Sequence, residues 1–232
     1  MKLISLALLL LTACTSLAQP TSAPRVRVSF EQRWPDSDPQ WFELVVQPDG
    51  KARYRSLPHR ASSSAPDNPA PEAYELSFTL SSGSRRRIFE LAELAPGLLR
   101  FQGTLDKIKV AFTGTKTLRY EDGTGVTSLI AYNYSSSPEL NGLTGLMQGI
   151  SESIELSRTL QLQFRFDKLG LDSTLRSTEA KVALQPLPEA QILEPILQRI
   201  ANDLATMNIA RQRARRILQA ESDLKPGMKQ RQ

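Results

Sequence analysis

The chain is poor in the residues on which many hydrolases depend. Its 232 residues include one cysteine, Cys14, and one histidine, His59, which lies in a stretch rich in proline and serine and is interpreted as a solvated loop residue. A catalytic triad with histidine as its base is therefore disfavoured. The patterns HExxH, GxSxG and GxxxxGK(S/T), which mark zinc peptidases, serine hydrolases and phosphate-binding loops, are absent. No metal or cofactor is predicted.

Long apolar runs are also lacking, apart from one that opens the chain. Lys2 precedes an apolar segment, residues 3–11, which is too short to span a bilayer and is followed by small residues. Residues 1–18 are therefore predicted to be a secretory signal peptide, cleaved after Ala18. We expect the protein to be secreted or periplasmic.

A second interpretation of this segment makes the protein a lipoprotein. Residues 11–14, Leu-Thr-Ala-Cys, resemble the bacterial lipoprotein box, in which Cys14 becomes the lipidated first residue. Under the first interpretation, cleavage removes Cys14 and leaves the exported domain without a disulfide, although its compartment would permit one. The stability of that domain must then come from its core, for which 40% apolar residues provide the material.

Positive charge is concentrated near the C-terminal end. The chain has 29 basic and 24 acidic residues, and the segment from Met207 onward holds seven basic and two acidic ones. Arg211, Arg213, Arg215 and Arg216 crowd one predicted helix and are candidates for contact with an anionic partner. An anionic membrane surface, an envelope polymer or another protein fits an exported chain better than nucleic acid does. The alternative is a solvated face with internally paired arginines.

A second basic cluster, residues 85–87, lies in the first turns of another predicted helix. The helix macrodipole disfavours positive charge at this position. Pairing with Glu90, three or four residues further on, is the simpler interpretation, and an acidic partner is the alternative.

The first half of the chain has the pattern of short β-strands. Apolar and polar residues alternate in about seven stretches, which begin near residues 25, 42, 51, 74, 107, 117 and 128. Residues 48–50, Pro-Asp-Gly, predict a hairpin turn. Residues 107–134 predict a three-stranded meander, in which Lys116 and Glu121 are expected to face solvent. Because a one-residue slip would expose every apolar side chain, its register should be firmly set.

Helical spacing replaces this alternation after residue 135. A helix is predicted from Leu140 to about Lys168, with Gly170 as its cap, because buried-type residues recur three and four apart along one seam. The seam becomes polar at Ser157 and Gln161, which favours packing on the sheet over an independent coiled coil. The seam consists of Leu140, Leu143, Met147, Ile150, Ile154, Ser157, Gln161 and Phe164.

The predicted architecture is α+β: an antiparallel β-meander sheet with one inserted helix, followed by a C-terminal helical region that packs on the sheet. Residues 19–134 form the β-rich region, with a helix near 83–95 and a mobile loop over 58–71. Residues 135–220 form the helical region of the same compact unit, and residues 221–232 form a flexible tail. Within the helical region, three further helices are predicted. They cover residues 171–184, the segment from Glu189 with a kink or restart at Pro195, and residues 208–220.

Paired acids are the remaining route to catalysis. Asp36 and Asp38 lie close together, as do Glu121 and Asp122. Such pairs can hold a hard cation or serve in carboxylate-dependent hydrolysis. Neither pair has the spacing of an EF-hand loop, and solvated loop or turn residues are the favoured interpretation.

Five short stretches stand out as a set, namely 88–92 (IFELA), 112–118 (FTGTKTL), 122–124 (DGT), 167–171 (DKLGL) and 207–211 (MNIAR). In these stretches, which span most of residues 74–218, the chain resembles a family of uncharacterised secreted bacterial proteins. That family has no assigned activity, so the resemblance implies no functional residue.

The sequence thus predicts an exported, non-catalytic binding or envelope-associated protein. The alternative is a carboxylate-dependent hydrolase. A further alternative is a carrier that holds an apolar ligand between the sheet and the helices.

Overall fold

The computed structural model of the protein describes residues 26–58, 72–94, 112–124, 126–185 and 187–227. Within these ranges the chain forms one antiparallel sheet with helices packed on it, which confirms the predicted α+β class. The spatial order of its six strands is β4-β3-β2-β1-β5-β6. The strands are β1 (Arg27–Arg33), β2 (Trp41–Val46), β3 (Lys51–Leu57), β4 (Tyr74–Thr79), β5 (Thr115–Glu121) and β6 (Thr127–Tyr132).

Glycines close two of the predicted turns. Gly50 joins β2 to β3 and Gly123 joins β5 to β6, with φ angles of 89° and 80° in the left-handed region that glycine adopts without a steric penalty. Both hairpins are confirmed. The strand predicted near residues 107–112 lies outside the described residues except for Phe112, which is exposed.

One face of the sheet builds the first hydrophobic core. Phe30 of β1 is paired with Leu44 of β2 on one side and with Leu118 of β5 on the other, and Leu118 pairs in turn with Ile130 of β6. All four side chains are buried. Burying each one contributes about 1.5–3 kcal/mol, so a register slip would be costly.

The expectation that Lys116 and Glu121 face solvent is wrong for Lys116. Its alternation places it on the core face of β5, where its side chain is 5% exposed. The ammonium group donates to the carbonyl oxygens of Thr113, at 3.2 Å, and Asn133, at 3.0 Å, so that it ties the turn before β5 to the end of β6. Burial lowers the pKa of Lys116. Glu121 is half-buried and pairs with Arg27 at 2.6 Å.

The described residues contain five α-helices: α1 (Ser82–Glu93), α2 (Pro138–Phe166), α3 (Leu171–Leu184), α4 (Glu194–Asn202) and α5 (Asn208–Gly227). A short 3-10 helix, Ala190–Ile192, precedes α4, so Pro195 marks a restart at the first turn of α4. Glu90 of α1 lies 3.7 Å from both Arg86 and Arg87, as the predicted pairing requires. The last helix continues past Ala220, and residues 228–232 lie outside the described part of the chain, as does the predicted loop 58–71 beyond Pro58.

Helix α2 connects two separate cores. The first part of its seam, from Leu140 to Ile154, packs with α1 on the sheet. Beyond that point Leu160 belongs to a second core, which α3, α4 and α5 complete with residues such as Leu175, Ile200 and Ala214. The helix ends at Phe166, and Gly170 precedes α3 instead of capping α2. The sheet layer and the helical layer therefore meet along the middle of α2.

Candidate functional site

A polar cleft lies where the two layers meet. It has a volume of about 650 Å³ and is bounded by the loop after β1, one stripe of α2 and one stripe of α3. Ligand sites occur preferentially in concave regions where polar groups from several elements converge. The cleft is lined by Gln32, Trp34, Ser37, Asp38, Pro39, Phe42, Gln148, Ser151, Glu152, Glu155, Leu156, Thr159, Ser173, Thr174, Ser177, Thr178 and Lys181.

Glu155 on α2 forms the floor of the cleft. Its Oε1 accepts hydrogen bonds from the hydroxyls of Tyr54, at 2.9 Å, and Ser56, at 2.5 Å, both from β3. Its Oε2 lies 3.4 Å from Arg158. Tyr54 also lies 2.8 Å from the hydroxyl of Ser151, and burial raises its pKa well above the usual value. Both carboxylate oxygens are therefore engaged, and Glu155 is held in a fixed orientation.

Helix α3 supplies a hydroxyl-rich wall. Ser173, Thr174, Ser177 and Thr178 recur at the spacing of a single helix face, and Thr178 donates to the backbone carbonyl of Thr174 at 2.8 Å. One turn further along, Lys181 pairs with Glu152 of α2 and so bridges the two walls.

The loop between β1 and β2 forms the rim and carries Trp34. Backbone hydrogen bonds from Trp34 to Gln40, at 2.9 Å, and from Gln40 to Leu57, at 3.0 Å, fix this loop to the end of the sheet. Ser37 donates through its hydroxyl to the carbonyl of Pro39 at 2.7 Å. The half-buried indole of Trp34 is thus placed beside the polar walls by a firmly bonded loop.

The charge of the cleft is acidic. Asp38, Glu152 and Glu155 line it together with a single cation, Lys181. Within the described residues, no three side chains of the types His, Cys, Asp and Glu come together as a metal-binding group. The cleft is equipped to exchange hydrogen bonds with a polar or positively charged ligand.

The acids singled out in the sequence do not converge. Asp38 reaches the cleft, whereas Asp36 is exposed on the same loop outside its lining. Asp122 closes its own turn by accepting from the backbone N–H of Thr124 at 2.8 Å, and hydrogen bonds from Thr124 lower its pKa. Glu121, paired with Arg27, lies on β5 between β1 and β6 and does not line the cleft.

The four clustered arginines of α5 have different surroundings. Arg213 is 15% exposed and pairs with Asp172, at 2.8 Å, and Glu179, at 2.7 Å, both on α3. Arg216 pairs with Glu179 at 2.5 Å. These hydrogen bonds raise the pKa values of both arginines and lower those of the two acids. Arg213 and Arg216 therefore join α5 to α3.

Arg211 and Arg215 are the members of the cluster without a carboxylate partner in the described part of the chain. Arg215 is exposed and donates to the carbonyl of Ala201 at 2.8 Å, near the C-terminal end of α4, where a cation also stabilises the helix dipole. Arg211 makes a long contact of 3.4 Å with Asn208. Cys14, His59 and the predicted signal peptide, residues 1–18, lie outside the described residues.

Sequence reasoning did not find the cleft. Its walls come from residues 32–42, 148–159 and 173–181, and no local pattern links these segments. One signal was present in the sequence, since four hydroxyl residues are spaced so that they share a face of α3.

Comparison with known proteins supplies no family to which the chain can be assigned. No family model matches the sequence, and no curated protein is significantly similar to it. None of the described helices is long and apolar enough to cross a membrane.

Proposed function

We propose that this is an exported, non-catalytic binding protein whose cleft holds a polyhydroxylated ligand, such as the glycan part of an envelope polymer. The observation that carries the proposal is the lining of the cleft: hydroxyls from α3, carboxylates from α2 and an aromatic ring at the rim. Sugar hydroxyls pair with such donors and acceptors, and the electron-rich face of an indole attracts the C–H groups of a sugar ring. Export rests on the predicted signal peptide.

The acidic lining refines the class of ligand. Three carboxylates stand against Lys181 in the lining and Arg158 beside Glu155, so the cleft keeps one net negative charge, which favours a glycan that carries amino groups over a neutral one. The contact with an anionic partner that the clustered arginines predict belongs to another surface, because Arg211, Arg213, Arg215 and Arg216 do not line the cleft.

Hydrolysis by two carboxylates is less well supported. Such a mechanism needs one protonated acid and one free carboxylate beside the scissile bond. In the cleft, Glu155 accepts from two hydroxyls and faces Arg158, and Glu152 pairs with Lys181. A carrier of apolar ligands is also less well supported, because burying these polar groups against an apolar ligand would leave them without water.

The two tryptophans of the chain provide a matched test. Trp34 lies at the cleft. Trp41 lies beside Arg33 and Arg55 on the face of the sheet that points away from the core. A tetrasaccharide of glucosamine should quench the fluorescence of the Trp41→Phe variant, which keeps Trp34, and should leave that of Trp34→Phe unchanged. The N-acetylated tetrasaccharide should bind more weakly because it lacks the positive charges.

Three outcomes would contradict the proposal. If neither tetrasaccharide binds, as measured by calorimetry, the cleft is not a glycan site. Equal quenching of both variants would place binding outside the cleft. Release of new reducing ends by the wild type, lost in Glu155→Gln, would favour the hydrolase.

A further inference from the structure

One end of the helical layer exposes large apolar side chains. We call it the tip and define it as residues 162–170, at the end of α2 and in the turn to α3, and residues 203–211, in the loop from α4 and the first turn of α5. These two segments hold half of the twelve large apolar residues that the described part of the chain exposes. The six are Leu162, Phe166, Leu169, Leu204, Met207 and Ile209, and Phe166, Leu169 and Leu204 are 75–84% exposed.

The two segments of the tip are bonded to each other. Lys168 of the first lies 2.7 Å from the carboxylate of Asp203 in the second. Asp203 also accepts from the backbone N–H of Ala205, at 3.0 Å, and from the hydroxyl of Thr206, at 2.8 Å. The two segments that carry the exposed side chains are therefore held together in the folded chain.

Cations surround the apolar side chains. Arg165, Lys168 and Arg199 line a pocket of about 480 Å³ beside Phe164. Lys168 and Arg199 lie 5.2 and 5.1 Å from the centre of the Phe164 ring. Within the described residues, neither Arg165 nor Arg199 has a carboxylate at ion-pair distance. The pocket thus offers positive charge to a ligand of the size of a phosphate headgroup.

The charge of the whole tip has the same sign. The tip and its neighbour Arg199 hold four basic residues and two acidic ones. The basic residues are Arg165, Lys168, Arg199 and Arg211, and the acidic ones are Asp167 and Asp203. Lys168 and Asp203 neutralise each other, so the net positive charge comes from arginines. Because arginine is weakly hydrated and can bind phosphate through two nitrogens at once, this composition suits a phosphate-rich surface.

We propose that the tip docks on an anionic phospholipid surface. Phe166, Leu169 and Leu204 enter the boundary between the headgroups and the acyl chains, while Arg165 and Arg199 bind lipid phosphate. A projecting apolar surface ringed by cations is the arrangement with which peripheral proteins bind anionic lipids. Charge complementarity favours this partner over a second copy of the chain, since two tips of the same sign would repel each other. The inference does not depend on the ligand of the cleft.

The test compares two triple variants of the full chain, each in a Cys14→Ser background so that lipidation cannot contribute. The tip variant is Phe166→Ser with Leu169→Ser and Leu204→Ser. The control is Leu94→Ser with Leu129→Ser and Leu184→Ser, which are also exposed but lie outside the tip. Binding is measured by sedimentation with vesicles of phosphatidylglycerol and phosphatidylcholine in equal parts, and with vesicles of phosphatidylcholine alone.

We expect the tip variant to bind the anionic vesicles about tenfold more weakly or worse, because it loses three apolar side chains from the contact. The control should match the parent chain, and both variants should keep its melting temperature. Arg165→Gln with Arg199→Gln should weaken binding and flatten its dependence on salt up to about 0.5 M.

Three results would overturn the proposal. The first is unchanged binding by the tip variant, and the second is equal binding of the parent chain to anionic and neutral vesicles. The third is a dimeric parent chain that becomes monomeric in the tip variant, as measured by light scattering without lipid, because the tip would then be a self-association surface.

Discussion

The hydroxyl of Tyr54 on β3 donates a hydrogen bond of 2.9 Å to Oε1 of Glu155 on α2, a residue 101 positions away. This bond joins the sheet layer to the helix that continues into the second core. Because Tyr54 is fully buried, water cannot replace its hydroxyl as a donor. The bond therefore links the stability of the fold to the floor of the cleft.

Replacing Tyr54 with Phe should lower the free energy of unfolding by about 1–3 kcal/mol, since a partly buried carboxylate loses a donor and Ser151 loses its partner. Urea denaturation measures the change. Tyr132→Phe is the control, because its hydroxyl contacts Thr144, which still donates to the carbonyl of Leu140 at 2.6 Å. An equal loss of unfolding free energy in both variants would mean that the bond from Tyr54 to Glu155 stabilises the fold no more than the contact between Tyr132 and Thr144 does.

Two glycines of α2 should respond in opposite ways to alanine. A Cβ at Gly149 would lie 2.7 Å from Cγ of Pro188, in the segment that leads to α4, whereas a Cβ at Gly145 would meet nothing within 4 Å. Gly145→Ala should stabilise the protein by about 0.5–1 kcal/mol, through the higher helix propensity of alanine. Gly149→Ala should destabilise it by about 1–3 kcal/mol, because the contact between α2 and Pro188 must open.

Thermal denaturation of both glycine variants gives the comparison directly. The clash at Gly149 involves a proline ring whose backbone is also fixed, since Ser153 donates to the carbonyl of Pro188 at 2.5 Å. A stabilised Gly149→Ala variant would show that this segment can move away without cost.

The periodicity of the sequence predicted the helices and strands of this fold but not which of them pack against each other. The bounds of α3 agree with the predicted 171–184, because apolar residues recur between Gly170 and Pro186. The seam of α2 predicted burial correctly as far as Ser157, which is 3% exposed. The sequence did not predict that α2 passes from the first core to the second along this seam. At that point Ser157 is buried and donates to the carbonyl of Ile192, 35 positions away.

Glu189 shows the same limit more sharply. It is 3% exposed and has a left-handed φ of 58°, which is rare for a residue with a side chain. Its carboxylate accepts from the backbone N–H and the hydroxyl of Ser81, at 2.9 and 2.7 Å, beside the first turn of α1. Ser81 is the N-cap of α1, but its contact with a residue 108 positions away follows no local pattern. The cleft escaped prediction for the same reason.

The carboxylate of Asp203 should make stability depend on pH in the acid range. Hydrogen bonds from Lys168, Thr206 and the backbone of Ala205 lower its pKa from 3.8 to about 2. Because the folded-state pKa lies below the unfolded value, its contribution to stability is present above pH 3.8 and is lost as the pH falls towards 2.

Asp203→Asn keeps the size and one acceptor of the side chain but removes its charge. The wild type should be the more stable protein at neutral pH, and the difference should shrink between pH 4 and pH 2. Urea denaturation at a series of pH values measures this. A difference that stays constant over this range would show that the charge of Asp203 is not responsible.

Arg213 and Arg211 should separate structural from binding roles within the arginine cluster. Arg213 is largely covered, and it is the main partner of Asp172 and one of the two arginines that pair with Glu179, so Arg213→Gln should lower the melting temperature by several degrees. Arg211 has no such partner in the described part of the chain, so Arg211→Gln should leave the melting temperature unchanged and weaken retention on anionic vesicles instead. The opposite result would be a loss of retention on anionic vesicles in Arg213→Gln alone, with an unchanged melting temperature. It would show that the face of α5 that packs towards α3 binds the vesicles.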